Sequence, residues 1–269
     1  MAVLASAYAN ARATPAPVLS GRFNKFAADA TQKYPLGFKV ECSDGSVYRY
    51  GHFGTTTTRG VLVSMDISET SVSDSDNAVL APASCVNTND GKIGQRFVEI
   101  TMASITANQF VGGKFVITDG TGIGFTYDIK NNTATDNPAS GTIRLELVQP
   151  LQVALDATTD MAIIGSLYHD MEVCTTTETC PVGVTCQNMT VTTYPFGWIQ
   201  TKGVVGVLCD AKEPTVGAIV TVSKLTAGAV GPMGGDSVSA VDLTKNPIVG
   251  YVVDPGDSGG QVTCKINLE

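Results

Sequence analysis

From Leu36 onward, apolar and polar residues alternate in short runs, the period of a strand with one buried face. Phe38-Lys39-Val40-Glu41-Cys42 alternates, Ser43-Asp44-Gly45-Ser46 supplies turn residues, and Val47-Tyr48-Arg49-Tyr50 follows. That order predicts a β-hairpin. Thr55–Thr58 and Val61–Val63 are β-branched or apolar and favour strands, whereas the Ser/Asp/Thr-rich stretch 68–78 predicts an exposed loop. Gln95–Thr101, Lys114–Thr118, Phe125–Ile129 and Thr142–Leu147 alternate again. Between them Thr106–Phe110 predicts a turn or a single helical turn, Asp119–Gly124 a glycine turn, and Asn131-Asn132 and Asp136-Asn137-Pro138 loops. The last section predicts strands at Gly197–Thr201, Val204–Cys209, Ala218–Val222, Ile248–Val253 and Gly260–Ile266, with a glycine-rich loop over Thr226–Val241. Many short strands at intervals of about 8–12 residues imply a sandwich or a barrel. No long segment carries the 3.6 period, which argues against a doubly wound α/β enzyme fold.

Residues 1–36 follow a different grammar. Alanine is dense, Thr14-Pro15-Ala16-Pro17 favours extended backbone, and Phe23 and Phe26 at a spacing of three could open one short helix. Two readings stand here: a flexible terminus, or an arm that becomes ordered on a partner. The aromatics Tyr8, Phe23, Phe26 and Tyr34 suit the second. The domain plan is therefore an arm over 1–36, a main β domain over 37–90 and 171–269, and an inserted second β domain over 91–170.

The chain of 269 residues is long enough to bury a sizeable core, and only 16% of it is charged. A net charge of −8 with 17 Lys+Arg lacks the footprint of a nucleic-acid binder and offers no basic cluster to anionic lipid. No apolar run approaches the roughly 20 residues that span a bilayer. The opening Met1-Ala-Val-Leu-Ala has no basic n-region, so it is not read as a signal peptide; synthesis in a cytoplasm is expected.

The candidate chemistry is thin. Gly256-Asp257-Ser258-Gly259-Gly260 matches the segment around a trypsin-like nucleophile, but such a serine needs a histidine oriented by a carboxylate. Only His52 and His169 exist, neither in the sequence context that those proteases use, and nine residues follow Gly260. A tight turn between the last two strands is the expected role. Seven cysteines, an odd number, read as buried thiols. His169 with Cys174, Cys180 and Cys186 lacks the short Cys-x-x-Cys knuckle of a zinc site; one disulfide in that loop is the other alternative. Asp74-Ser75-Asp76-Asn77 lacks the glycine and distal glutamate of a calcium loop, and Gly120-Thr121-Gly122-Ile123-Gly124 is not a dinucleotide fingerprint. The triplets at Asn131 and Asn188 read as chance matches to the glycosylation pattern. No catalytic set, metal set or cofactor is expected, and the chain reads as a non-enzyme.

The C-terminal pattern supplies a family. Thr201-Lys-Gly-Val-Val-Gly-Val-Leu-Cys-Asp, Val216-Gly-Ala-Ile-Val-Thr-Val-Ser, Gly228-Ala-Val, Pro247-Ile-Val-Gly-Tyr-Val-Val-Asp and Gly260-Gln-Val-Thr-Cys-Lys-Ile resemble the head decoration (capsid cement) and related virion structural proteins of tailed bacteriophages. Thr106-Ala-Asn-Gln-Phe-Val-Gly-Gly is similar to segments of the same group. The resemblance covers residues 197–269 best and 50–269 loosely. It implies a small β-barrel or β-tulip-like domain with an N-terminal arm, seated on the capsid exterior where capsomers meet, often as a trimer. The implied partners are the major capsid protein lattice and further copies of this chain, with no nucleic acid and no membrane. Arg12, Arg22, Phe23, Phe26 and Tyr34 are the expected arm contacts, since aromatics and arginine dominate interface energetics. The alternatives are a fibre or receptor-binding module and a head–tail connector component. This chain is longer than the smallest members, and the section 90–170 reads as an inserted second β domain.

Overall fold

A computed structural model describes residues 23–65, 71–73, 84–136, 141–175, 180–210, 214–233, 247–256 and 259–269. The fold is all-β, with no helix among the described residues, and its strands form two antiparallel sheets. The chain divides into two compact units, one over 1–65 and 168–269, the other over 66–167.

Unit one contains β1 (Ala28–Asp29), β2 (Lys39–Glu41), β3 (Val47–His52), β4 (Leu62–Ser64), β11 (Glu172–Val173), β12 (Pro181–Thr185), β13 (Phe196–Leu208), β14 (Ile219–Val222), β15 (Val230–Pro232), β16 (Ile248–Asp254) and β17 (Gln261–Asn267). They form one curled sheet whose main path runs β11-β4-β12-β13-β17-β16-β14-β15. The expected hairpin is present: Lys39 faces Arg49 and Glu41 faces Val47, with Gly45 in the left-handed region at φ 80°.

β13 organises the unit. The sequence predicts two strands here, 197–201 and 204–209, and the structure joins them into one of 13 residues. Phe196–Lys202 pairs with β3 on one edge, while β1, β12 and β17 pair in turn with the other. A register shift between Gln200 and Lys202 lets one strand serve all four. Gly203 sits beside it at φ 106°, where a Cβ would come 2.6 Å from Ser46 Oγ. Buried Gln200 donates its amide to the carbonyls of Lys202 and Val204, both at 3.1 Å, and so satisfies acceptors that the irregularity exposes.

The stretch that could have opened a helix at Phe23 instead forms a turn and β1, which pairs Ala28 with Gly197 and Asp29 with Phe196. Phe23 gains more from the ring cluster around Trp198, and Ala28–Asp29 from pairing with β13, than an isolated helical turn could supply. Thr55–Thr58 forms no strand either; Thr57 makes a single bridge to Met189. Ser71–Ser73, inside the expected loop, is paired as β5, and Val230–Pro232, inside the expected glycine loop, is paired as β15.

Unit two contains β5 (Ser71–Ser73), β6 (Phe97–Thr101), β7 (Lys114–Asp119), β8 (Thr126–Asn132), β9 (Thr142–Leu147) and β10 (Asp160–Ile164), in the order β5-β10-β7-β8-β9-β6. Asn131-Asn132, expected in a loop, ends β8, where the Asn132 side chain accepts from Phe110 N–H at 2.9 Å. The alternation holds where it was cleanest: Ile143, Leu145 and Leu147 are all fully buried. Phe115, Ile117, Tyr127, Ile129, Met161 and Ile163 line the same core. Asp90 is buried and held by a bidentate contact with Arg144, Nε–Oδ2 2.5 Å and Nη2–Oδ1 3.0 Å.

Candidate functional site

Among the described residues, a group of His and Asp side chains close enough to hold a metal ion lies at the end of β3. Phe53 bridges Met171, and His52 exchanges main-chain hydrogen bonds with the 168–171 segment: its N–H donates to Tyr168 O and its carbonyl accepts from Met171 N, both at 2.9 Å. Gly54 N–H donates to Met171 O at 2.9 Å. The glycines on either side of His52 permit this approach. A Cβ on Gly51 would collide with Met171 Cε, and one on Gly54 would lie 3.2 Å from Asp170 O.

The two segments bring His52, His169 and Asp170 together. His52 Nδ1 lies 2.6 Å from Asp170 Oδ1, and His169 Nδ1 lies 2.9 Å from Asp170 Oδ2. Their ring centroids are 5.3 Å apart and near-parallel, and Phe196 covers His52 at 4.8 Å. The buried Nδ1 of His52, although it lies beside Asp170, has no partner with hydrogen-bond geometry. Asp170 itself has φ 47°, the left-handed region that aspartate enters more readily than most residues. Burial pushes its carboxyl up, but His169 and His52 outweigh that and hold it well below the usual carboxylate range. Ser258, the third member of a hydrolase set, lies outside the described residues with Asp257.

The expected arm contacts fall in three places. Phe23 and Tyr34 pack on the single tryptophan, Trp198, at 4.9 and 5.4 Å between ring centroids, in a cluster with Phe38, Tyr48 and Tyr50. Phe26 is 58% exposed, beside Lys25, and lines a cleft of about 240 Å³ with Lys25, Arg59, Gln200, Val204 and Gln261. Arg12 and Arg22 lie outside the described residues, as do Asp74–Asn77.

A second surface begins at that cleft. On the outward side of the unit-one sheet, Val204 faces Lys265, Lys265 faces Tyr251, and Tyr251 faces Ile219 on four adjacent strands. Val204, Tyr251 and Ile219 are each about half exposed, and Ile248 and Val253 on β16 are exposed as well. Lys265 reaches over the Tyr251 ring.

Sequence reasoning singled out both histidines for the serine-hydrolase test and His169 for a cysteine-based zinc site. It missed Asp170 as their common partner. The signal was present in Gly51-His52-Phe53-Gly54, where two glycines bracket a histidine, but the segment that fills their space lies far along the chain. No disulfide joins the seven cysteines among the described residues, and burial raises Cys186 and Cys264 to about 12. No protein-family model matches the chain, and neither a curated protein nor a solved structure matches it.

Proposed function

We propose that this chain is a non-enzymatic virion structural protein, a capsid decoration protein that binds the major capsid protein lattice on the outside of a phage head and stabilises it. The observation that carries the reading is the outward row Val204–Lys265–Tyr251–Ile219. Strand positions that face water are normally polar; here three of the four are half-exposed apolar or aromatic side chains, with Lys265 laid over the Tyr251 ring, a composition that suits a protein contact. The C-terminal strands that build this row are also those that resemble head decoration proteins.

Such a role needs no cofactor. It needs modest contacts repeated over a symmetric lattice, where many weak bonds held together act as one strong one. Binding that favours the assembled lattice stabilises it by mass action. A trimer seated where capsomers meet fits that arithmetic.

Quantitative mass spectrometry of gradient-purified virions tests the reading. A fixed lattice fraction, hundreds of copies per particle against the major capsid protein, is the expected result. A handful of copies replaces it with a fibre or connector role, and absence from the particle overturns it. Particles carrying Tyr251→Ser should keep few copies.

A further inference from the structure

We propose that His52, His169 and Asp170 form a binding site for one borderline transition-metal dication of the zinc class, which would pin the 168–171 segment to the end of β3. The site stands apart from the seat on the capsid: either can fail without the other.

The donor set comes first. Two imidazole nitrogens and one carboxylate oxygen lie within 4.8 Å of one another. Imidazole selects zinc, nickel, cobalt, copper or iron over magnesium and calcium, which prefer all-oxygen cages. Three protein ligands leave at least one position for solvent, and all three side chains are about a quarter exposed.

The geometry comes second. Bonds of about 2.0–2.2 Å to a tetrahedral ion hold neighbouring ligand atoms roughly 3.3–3.5 Å apart. The three donor atoms lie within 4.8 Å of one another, so closing them around an ion needs shifts of no more than roughly 1.5 Å per pair, within reach of side-chain rotation. The backbone on both sides is already fixed by three main-chain hydrogen bonds and by the two glycines that admit the segment.

The third argument is the orphaned Nδ1 of His52, buried and without an aligned hydrogen bond. A carboxylate between two imidazoles satisfies one ring well and the other poorly. A cation among them gives every donor atom a partner, with each ring proton moved to Nε2. Asp170, in the left-handed region, holds its carboxylate between the rings, a strained conformation of the kind retained at sites.

The chain has two histidines, so histidine-selective ¹⁵N labelling reads this site alone. In chelator-dialysed full-length protein, both imidazoles should shift together on Zn²⁺ addition and saturate at one equivalent. Asp170→Asn keeps a residue that tolerates the left-handed backbone and should weaken the affinity at least tenfold. Cys180→Ser, which removes the exposed thiol, should leave it unchanged. Co²⁺ in place of Zn²⁺ should give visible d–d absorption without a thiolate charge-transfer band. If neither imidazole shifts at one equivalent, or if binding survives Asp170→Asn and is lost with Cys180→Ser, the site is overturned.

Discussion

The two sheets use the same alternation and spend their outward positions differently. In unit two, Lys114 faces Asp128 across β7 and β8 and pairs with it, and Lys130 pairs with Glu146 at 2.5 Å. The exposed large hydrophobics of that unit, such as Val86, Ile93, Ile123 and Phe125, sit in loops and none in β6 to β10. In unit one the outward positions of β13, β14 and β16 carry Val204, Ile219, Ile248, Tyr251 and Val253. Cross-strand ion pairs make a face that is content in water; exposed apolar side chains on neighbouring strands make one that gains by leaving it. A strand's inward residues thus report the fold, and its outward residues report what the surface is for.

The sharpest break of that comparison is in the unit-two core. Leu145→Ala removes a fully buried side chain from a sheet with one apolar face and should cost about 3–5 kcal/mol. The single tryptophan belongs to unit one, so fluorescence and far-ultraviolet circular dichroism separate the two in urea. The dichroism midpoint should fall while the Trp198 signal keeps most of its own; coincident shifts would show the units unfold together. Next in size is Asp90→Ala, which strands the Arg144 guanidinium against the Phe97 ring and should cost about 2–3 kcal/mol in the same assay.

A smaller effect is expected at Glu269 in unit one. Bidentate hydrogen bonds from Arg49, at 2.9 and 2.8 Å, and one from Thr201 hold its carboxyl down to about 2, against an ordinary value of 4.5. A depressed carboxylate contributes its full stabilisation above the ordinary value and loses it as the pH falls toward the folded one. With solvent screening, Glu269→Gln should cost on the order of 1–2 kcal/mol at neutral pH. Melting curves of the two proteins should converge between about pH 4.5 and 2. A gap that stays constant across that window would refute the assignment.

The smallest effects on folding come from the outward faces themselves. Lys114→Ala and Tyr251→Ser should each change stability by no more than about 0.5 kcal/mol. They should part on the particle: Tyr251→Ser should lower occupancy and Lys114→Ala should not. Equal occupancy would remove the functional meaning of the difference between the faces.

Much of the fold was legible because strand periodicity is local. The 38–50 hairpin and β9 follow from residues that see one another across a turn or at spacing two. The short strands β1, β5, β11 and β15 carry two or three residues each, too few for any period to show, and they exist because a longer strand offers them an edge. The candidate site was legible only as two separate histidines. Phe23 and Tyr34 were read as partner contacts from their position in an alanine-rich stretch; the structure also gives them Trp198 as a neighbour, a contact that composition does not reveal.

The sequence by itself determined an all-β chain with buried alternating faces, glycine turns and little charge, because side-chain period and turn chemistry act within a few residues. Only the tertiary structure decided that 196–208 is one strand serving four neighbours, that Glu269 meets Arg49, and that His52 meets His169 and Asp170. Those outcomes depend on register and on where a missing Cβ lets one backbone approach another. Both are properties of pairs of segments far apart in the chain, and no window along it contains them.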